Sequence, residues 1–142
     1  MALHILKLSV GTESLEDKID WSKHYLKRLK AAGHPPQLFH TTRMVPKRID
    51  EILDGGSIYW VIKGQVQCRQ AIVDIEPFTD GHGIKRCHLV LDNKIIATQW
   101  QPKRAFQGWR YLKPEDAPAD LGADAAAIPT ELKAELSDLG LL

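Results

Sequence analysis

The sequence predicts a single α+β domain, mostly antiparallel sheet curled into a small barrel, with two flanking helices and a helix in its tail. Three observations carry this. Apolar runs at 57–63, 66–76, 84–91 and 95–100 have the character of strands and are joined by short turns. A single stripe, Leu15, Ile19, Ser22, Leu26 and Leu29, repeats at helical steps of three and four. Beyond residue 113 the composition shifts to proline, alanine and acid, so residues 1–113 form the domain and 114–142 an acidic linker with a short C-terminal helix.

Residues 3–9 hold two interleaved apolar sets, Leu3 with Ile5 and Leu6 with Leu8, as in a strand covered on both faces. Ser14 and Asp17 then have the spacing of a capping box, opening a helix that runs to about Ala32. Gly33 can take the left-handed stop, and Pro35-Pro36 prevent continuation. Gln37–Arg43 is a short strand. Pro46 suits the first turn of a second helix bearing Ile49, Ile52 and Leu53, ended by Gly55-Gly56.

Ser57–Lys63 alternates Ile58, Trp60 and Ile62 against Tyr59 and Val61, and Gly64 turns it into a tight hairpin. In the next run, Val66 and Cys68 share one parity, whereas Ala71, Val73 and Ile75 share the other. A β-bulge near Arg69-Gln70 would reconcile them. Thr79–Gly83 is a glycine loop, Ile84–Leu91 a strand with Cys87, Leu89 and Leu91 inward, and Ile95–Trp100 a further strand closed by Pro102. Pro129-Thr130-Glu131-Leu132 starts the tail helix.

The net charge of +1 hides an asymmetry: residues 1–113 hold 18 Lys+Arg against 11 Asp+Glu, and residues 114–142 one Lys against seven acids. A basic body with an acidic tail suits a polyanion partner, or a tail that covers the basic face. The first ten residues are interrupted by His4 and Lys7 and do not read as a signal peptide. No stretch reaches the ~18 apolar residues of a membrane span, so the expectation is a cytoplasmic chain without a membrane partner.

Little catalytic chemistry is written here. His82, Cys87 and His88 are close in sequence, but positions 87 and 88 of a strand face opposite ways, so no metal is expected. Phosphate-loop and nucleophile-elbow signatures are absent, and no cofactor is implied. Cys68 and Cys87 lie in apolar runs, where buried inert thiols sit.

The densest feature is Lys103–Tyr111, with two leading cations, three aromatics and no acidic residue anywhere between Asn93 and Pro114. Guanidinium groups beside aromatic faces suit phosphates and stacked bases. The same aromatics serve equally well as core. At least Trp60 and one of Phe106 and Trp109 should be buried.

In Ile58–Gly64, Cys68-Arg69-Gln70 and Arg104–Leu112 the chain resembles an alphaproteobacterial family of short proteins known only as a domain of unknown function, a resemblance that implies no activity. At the level of fold it also resembles the PUA and ASCH superfamily of RNA-binding pseudo-barrels. This rests on the order helix Pro46–Asp54, Gly55-Gly56, strand Ser57–Lys63 and a longer strand ending Ile72–Glu76. The resemblance implies a PUA-like pseudo-barrel. Gly56–Trp60 lacks the lysine and acid that ASCH-like domains carry there, so it implies a binding cleft rather than base hydrolysis.

The expected function is nucleic-acid binding, of single-stranded RNA or a modified base, with RNA or another polyanion as the partner. The expected site is Arg43, Lys63, Arg69, Gln70, Arg104, Phe106, Gln107, Trp109, Arg110 and Tyr111, with Arg69, Arg104 and Arg110 sharing one cleft. Two other classes stay open. One is an enzyme or sensor of a small anionic or nucleotide-like molecule, held by Arg43 and Arg69 with Thr42 or Asp74 near the second helix. The other is a protein-interaction module whose acidic tail is exchangeable.

Overall fold

The computed structural model describes residues 2–121, and the expected tail helix lies outside them. In chain order the elements are β1 (His4–Leu8), α1 (Leu15–Ala31), β2 (Leu38–Thr42), α2 (Ile49–Leu53), β3 (Ser57–Ile62), β4 (Gln65–Thr79), β5 (Lys85–Leu91), β6 (Ile96–Pro102) and β7 (Trp109–Leu112). The fold is α+β, as the patterning requires.

Local chemistry sets several boundaries. Ser14 Oγ accepts from Asp17 N–H at 3.1 Å, satisfying one of the free donors at the start of α1. At the other end Gly33 adopts φ +79° and His34 N–H donates to Leu29 O at 2.9 Å, which no continuing helix allows. Lys63 and Gly64 both have positive φ, 52° and 79°, the two-residue turn whose twist matches a β3–β4 hairpin. Pro46 precedes α2 rather than opening it. That helix is one short turn, Ile49–Leu53, anchored by fully buried Ile52.

The sheet has the order β2-β5-β4-β3-β1-β7, with β6 paired to β4 off that path. All pairs are antiparallel except β1 with β3, which run parallel through the crossover carrying α1, β2 and α2. The ladder is open rather than closed into a barrel, because β2 and β7 end the path without pairing to each other. Strand β4 is the long member, pairing with β3 and β6 through its first half and with β5 through its second.

Strand β4 slips phase twice, at Gln67, where its register shifts against both β3 and β6, and at Val73-Asp74 against β5, and not at Arg69-Gln70. Cys68, Gln70 and Ile72 face inward, the register against β5 shifts between Ile72 and Asp74, and inward packing resumes at Ile75. Val73 is therefore 54% exposed. Gln70 keeps its inward place because its amide has a buried partner, the Trp60 indole.

Strand β3 is buried along its whole length. Ile58, Trp60 and Ile62 join the main core with Ile5, Leu15, Ile52, Cys68 and Leu89. Tyr59 and Val61 face the other way, into a smaller cluster with Leu6, Val66 and Leu112. Each fully buried aliphatic side chain contributes about 2 kcal/mol. Past β7, Gln99 N–H donates to Ala119 O at 2.8 Å and Leu121 N–H to Ala97 O at 2.9 Å, so the chain through Leu121 lies along β6.

Candidate functional site

On the side of the smaller cluster, the 103–113 stretch borders an open hollow of about 810 Å³. Lys103, Arg104, Arg110 and Lys113 line it with Phe106 and Tyr111, while Glu115 and Asp116 stand at its rim. Phe106 is half-buried against Leu6 and Leu112, and the Arg110 guanidinium lies 5.2 Å from its ring centroid. None of the four cations is in an ion pair among the described residues.

Most of the other residues expected here serve elsewhere, and Tyr111 divides between the hollow and the segment before α2. Trp109 is 5% exposed and its indole N–H donates to Met44 O at 2.7 Å, while the Tyr111 hydroxyl accepts from Lys47 and Arg48 N–H at 3.1 and 3.3 Å. These two aromatics therefore brace the segment before α2. Trp60 is buried too, as expected, at 4% exposure. Gln107 and Arg43 are exposed and do not border the hollow. Lys63 sits in the hairpin turn, 2.5 Å from Glu13.

Arg69 does not share the cleft of Arg104 and Arg110. Its guanidinium donates to both carboxylate oxygens of Asp120 at 2.7 Å and to Ser57 Oγ at 2.8 Å. That pairing holds Asp120 below the usual carboxylate range. An arginine so engaged is not available to clamp a ligand beside Arg43.

The opposite face of the same strands carries a second recess, of about 530 Å³, lined by the 9–12 loop, the start of α1, β2, Trp60 and Gln70. Lys7 and Leu6 are consecutive on β1 and border different recesses, as strand alternation requires. Lys18 lies between Leu15 and Ser22 at helical steps of three and four, so α1 points it inward with its apolar stripe. Its ammonium sits 3.7 Å from the Trp60 ring centroid and donates to Ser9 Oγ at 3.1 Å. Ser9 Oγ also shares a 2.7 Å hydrogen bond with Thr12 Oγ1. Burial lowers the Lys18 pKa to about 8, against a smaller opposing influence from Cys68.

His40 faces the same space from β2. Its ring meets Trp60 edge-on at 5.2 Å, and its Nε2 is buried with no hydrogen-bond partner among the described residues. Burial first, then the charges of Lys7 and Lys18, lower its pKa to about 4, so it is neutral at pH 7. Trp60 is fixed by Gln70, whose Oε1 accepts the indole N–H at 2.8 Å while its amide donates to Asp92 O at 3.1 Å.

Of the residues expected as a site, only Gln70 borders this recess. Lys18 and His40 were nevertheless signalled in the sequence: one interrupts the core-facing stripe of α1, and the other shares the parity of Leu38 and Thr42, both buried in β2. No cluster of His, Cys, Asp and Glu able to hold a metal occurs among the described residues, and no described helix is long and apolar enough to cross a membrane.

No curated protein and no solved structure matches the chain. A family model described as a protein of unknown function (DUF1489) matches residues 5–142, and the chain belongs to that family.

Proposed function

We propose that this member of the DUF1489 family binds single-stranded RNA across the hollow beside β7. One observation carries the reading: Lys103, Arg104, Arg110 and Lys113, all without ion-pair partners among the described residues, surround one hollow with a half-buried phenylalanine on its wall. The cations would meet successive phosphates, and Phe106 with its attendant Arg110 would offer a face for a base. A flexible single strand can follow such an open surface, and among the described residues no α-helix lines it to enter a duplex groove. The PUA-like reading of the fold belongs to this proposal. It is supported by β4, which serves β3 and β6 with one half and β5 with the other. A cytoplasmic location fits the same reading, as do Cys68 and Cys87, which are buried and not disulfide-bonded.

Fluorescence anisotropy with mixed-sequence single-stranded RNA tests it. Four phosphate contacts at roughly 0.7 each give a slope of log affinity on log salt near −3, and Arg104→Gln or Arg110→Gln should each flatten it by about 0.7. Glu115→Gln with Asp116→Asn should tighten binding. Absence of binding at low salt, or a slope indifferent to these arginines, would remove the proposal.

A further inference from the structure

We propose a second and separate binding site: the recess between α1, the 9–12 loop and β2 takes a small aromatic carboxylate. Its carboxylate would sit on Lys18 Nζ, and its ring would point to the mouth beside Trp21. The volume, about 530 Å³, is that of a site for one small molecule.

The argument begins with what a structural role would not require. Leu or Met at position 18 would complete the inward stripe of α1 at lower cost, because an ammonium taken out of water needs a counter-charge. Beyond the weak influence of the Cys68 thiol little is supplied: Lys18 has no ion-pair partner among the described residues, and Asp17 and Asp20, though on the recess lining, are exposed rim groups on neighbouring turns of α1. Its place near the start of α1 adds the unfavourable end of the helix dipole.

The amine is also held rather than free to reach solvent, by Ser9 Oγ on one side and the Trp60 face on the other. Across the same space stands Nε2 of His40, a buried polar atom with no hydrogen-bond partner among the described residues. A ligand with an anionic oxygen would compensate both, one oxygen on Lys18 and the other on the Nε2–H tautomer of His40.

The donor set selects the class of anion. One ammonium, with a donor already committed to Ser9, and one neutral imidazole match a monoanion, with Lys7 the only other cation of the lining among the described residues. A phosphate dianion would ask for an arginine fork or a nest of backbone donors, and the recess has no arginine. The body of the ligand is argued from the mouth, where Trp21 is left 58% exposed. Trp21 is already stiffened by stacking on Tyr25, with ring centroids 5.1 Å apart.

The test titrates the full chain with benzoate, cinnamate and indole-3-carboxylate, and separately with their primary amides and with inorganic phosphate. Binding is read by equilibrium dialysis and by the NMR signals of the His40 ring. The carboxylates should bind at least about tenfold tighter than the matching amides, the value of a hydrogen bond to a charged group. Lys18→Met should erase that difference while the protein stays folded, because it removes a buried charge rather than a packing group. Single-stranded RNA should not displace the carboxylate. The proposal is overturned if amide and acid bind alike, if phosphate is preferred, if Lys18→Met keeps the preference, if RNA competes, or if no aromatic carboxylate binds at millimolar concentration.

Discussion

Replacing Lys18 by methionine should make the protein more stable, and the size of the gain should depend on pH in one direction only. In the folded chain the amine titrates at about 8 against an ordinary 10.5, because burial disfavours its charged form. Keeping it charged in the fold therefore costs about 3 kcal/mol, at 1.36 kcal/mol per pKa unit. Methionine gives up the ammonium's contact with the Trp60 face, worth about 1 kcal/mol. The net expectation at pH 7 is a gain of about 2 kcal/mol, which moves the urea midpoint up by about 1 M. Between pH 8 and 10.5 the unfolded chain still holds the proton that the folded chain has released, so raising the pH stabilises the parent protein. The advantage of Lys18→Met should shrink across that window and largely vanish above it. Urea titrations of both proteins at pH 7, 9 and 10.5 measure this. A destabilised variant at pH 7, or a gain that ignores pH, would refute the account of Lys18 as a buried, uncompensated charge.

Three further outcomes follow from neighbouring features. His40 titrates at about 4 rather than 6.5, so stability is lost as pH falls through that window, by about 3 kcal/mol for this group; His40→Leu should remove that share of the acid sensitivity in urea titrations at pH 7 and 4.5. Asp120→Asn should cost about 1 kcal/mol at pH 7 by breaking a half-exposed bidentate pair with Arg69. That loss should fade in acid, where the parent carboxylate is protonated as well, and a double-mutant cycle with Arg69→Gln would expose it. Gly56→Ala should cost about 3 kcal/mol, because its Cβ would run into the backbone oxygens of Leu3 and Ile52; a thermal midpoint equal to the parent's would show that this backbone can yield.

Much of the framework is legible because its determinants are local. Ser14, Gly33 and the Lys63-Gly64 turn act within a few residues, and the alternation of β3 records that both of its faces are covered. What escapes is set by partners distant in the chain. The parallel pairing of β1 with β3 and the capture of Arg69 by Asp120, 51 residues away, leave no periodic trace. The bulge in β4 is misplaced because Val66 and Cys68, alike in parity, pack into opposite clusters across the slip at Gln67, while Ala71 and Val73 are not the inward residues their apolar side chains suggest. Lys18 and His40 are overlooked for a different reason. Polar side chains at inward positions look like lapses in a pattern until the cavity they share is seen.

The two recesses stand back to back across β1, with Leu6 in one lining and Lys7 in the other, and the neighbouring strand β3 sends Tyr59 and Trp60 into the two clusters behind them. Such a partition has no spare thickness. Tyr59 and Trp60 are adjacent in sequence yet belong to different sides, so displacing the backbone by a fraction of an ångström to suit an occupant on one side must reshape the other. Any coupling between the two rooms would run through the backbone of β1 and β3 and would shift affinity without competition, because no described residue lines both.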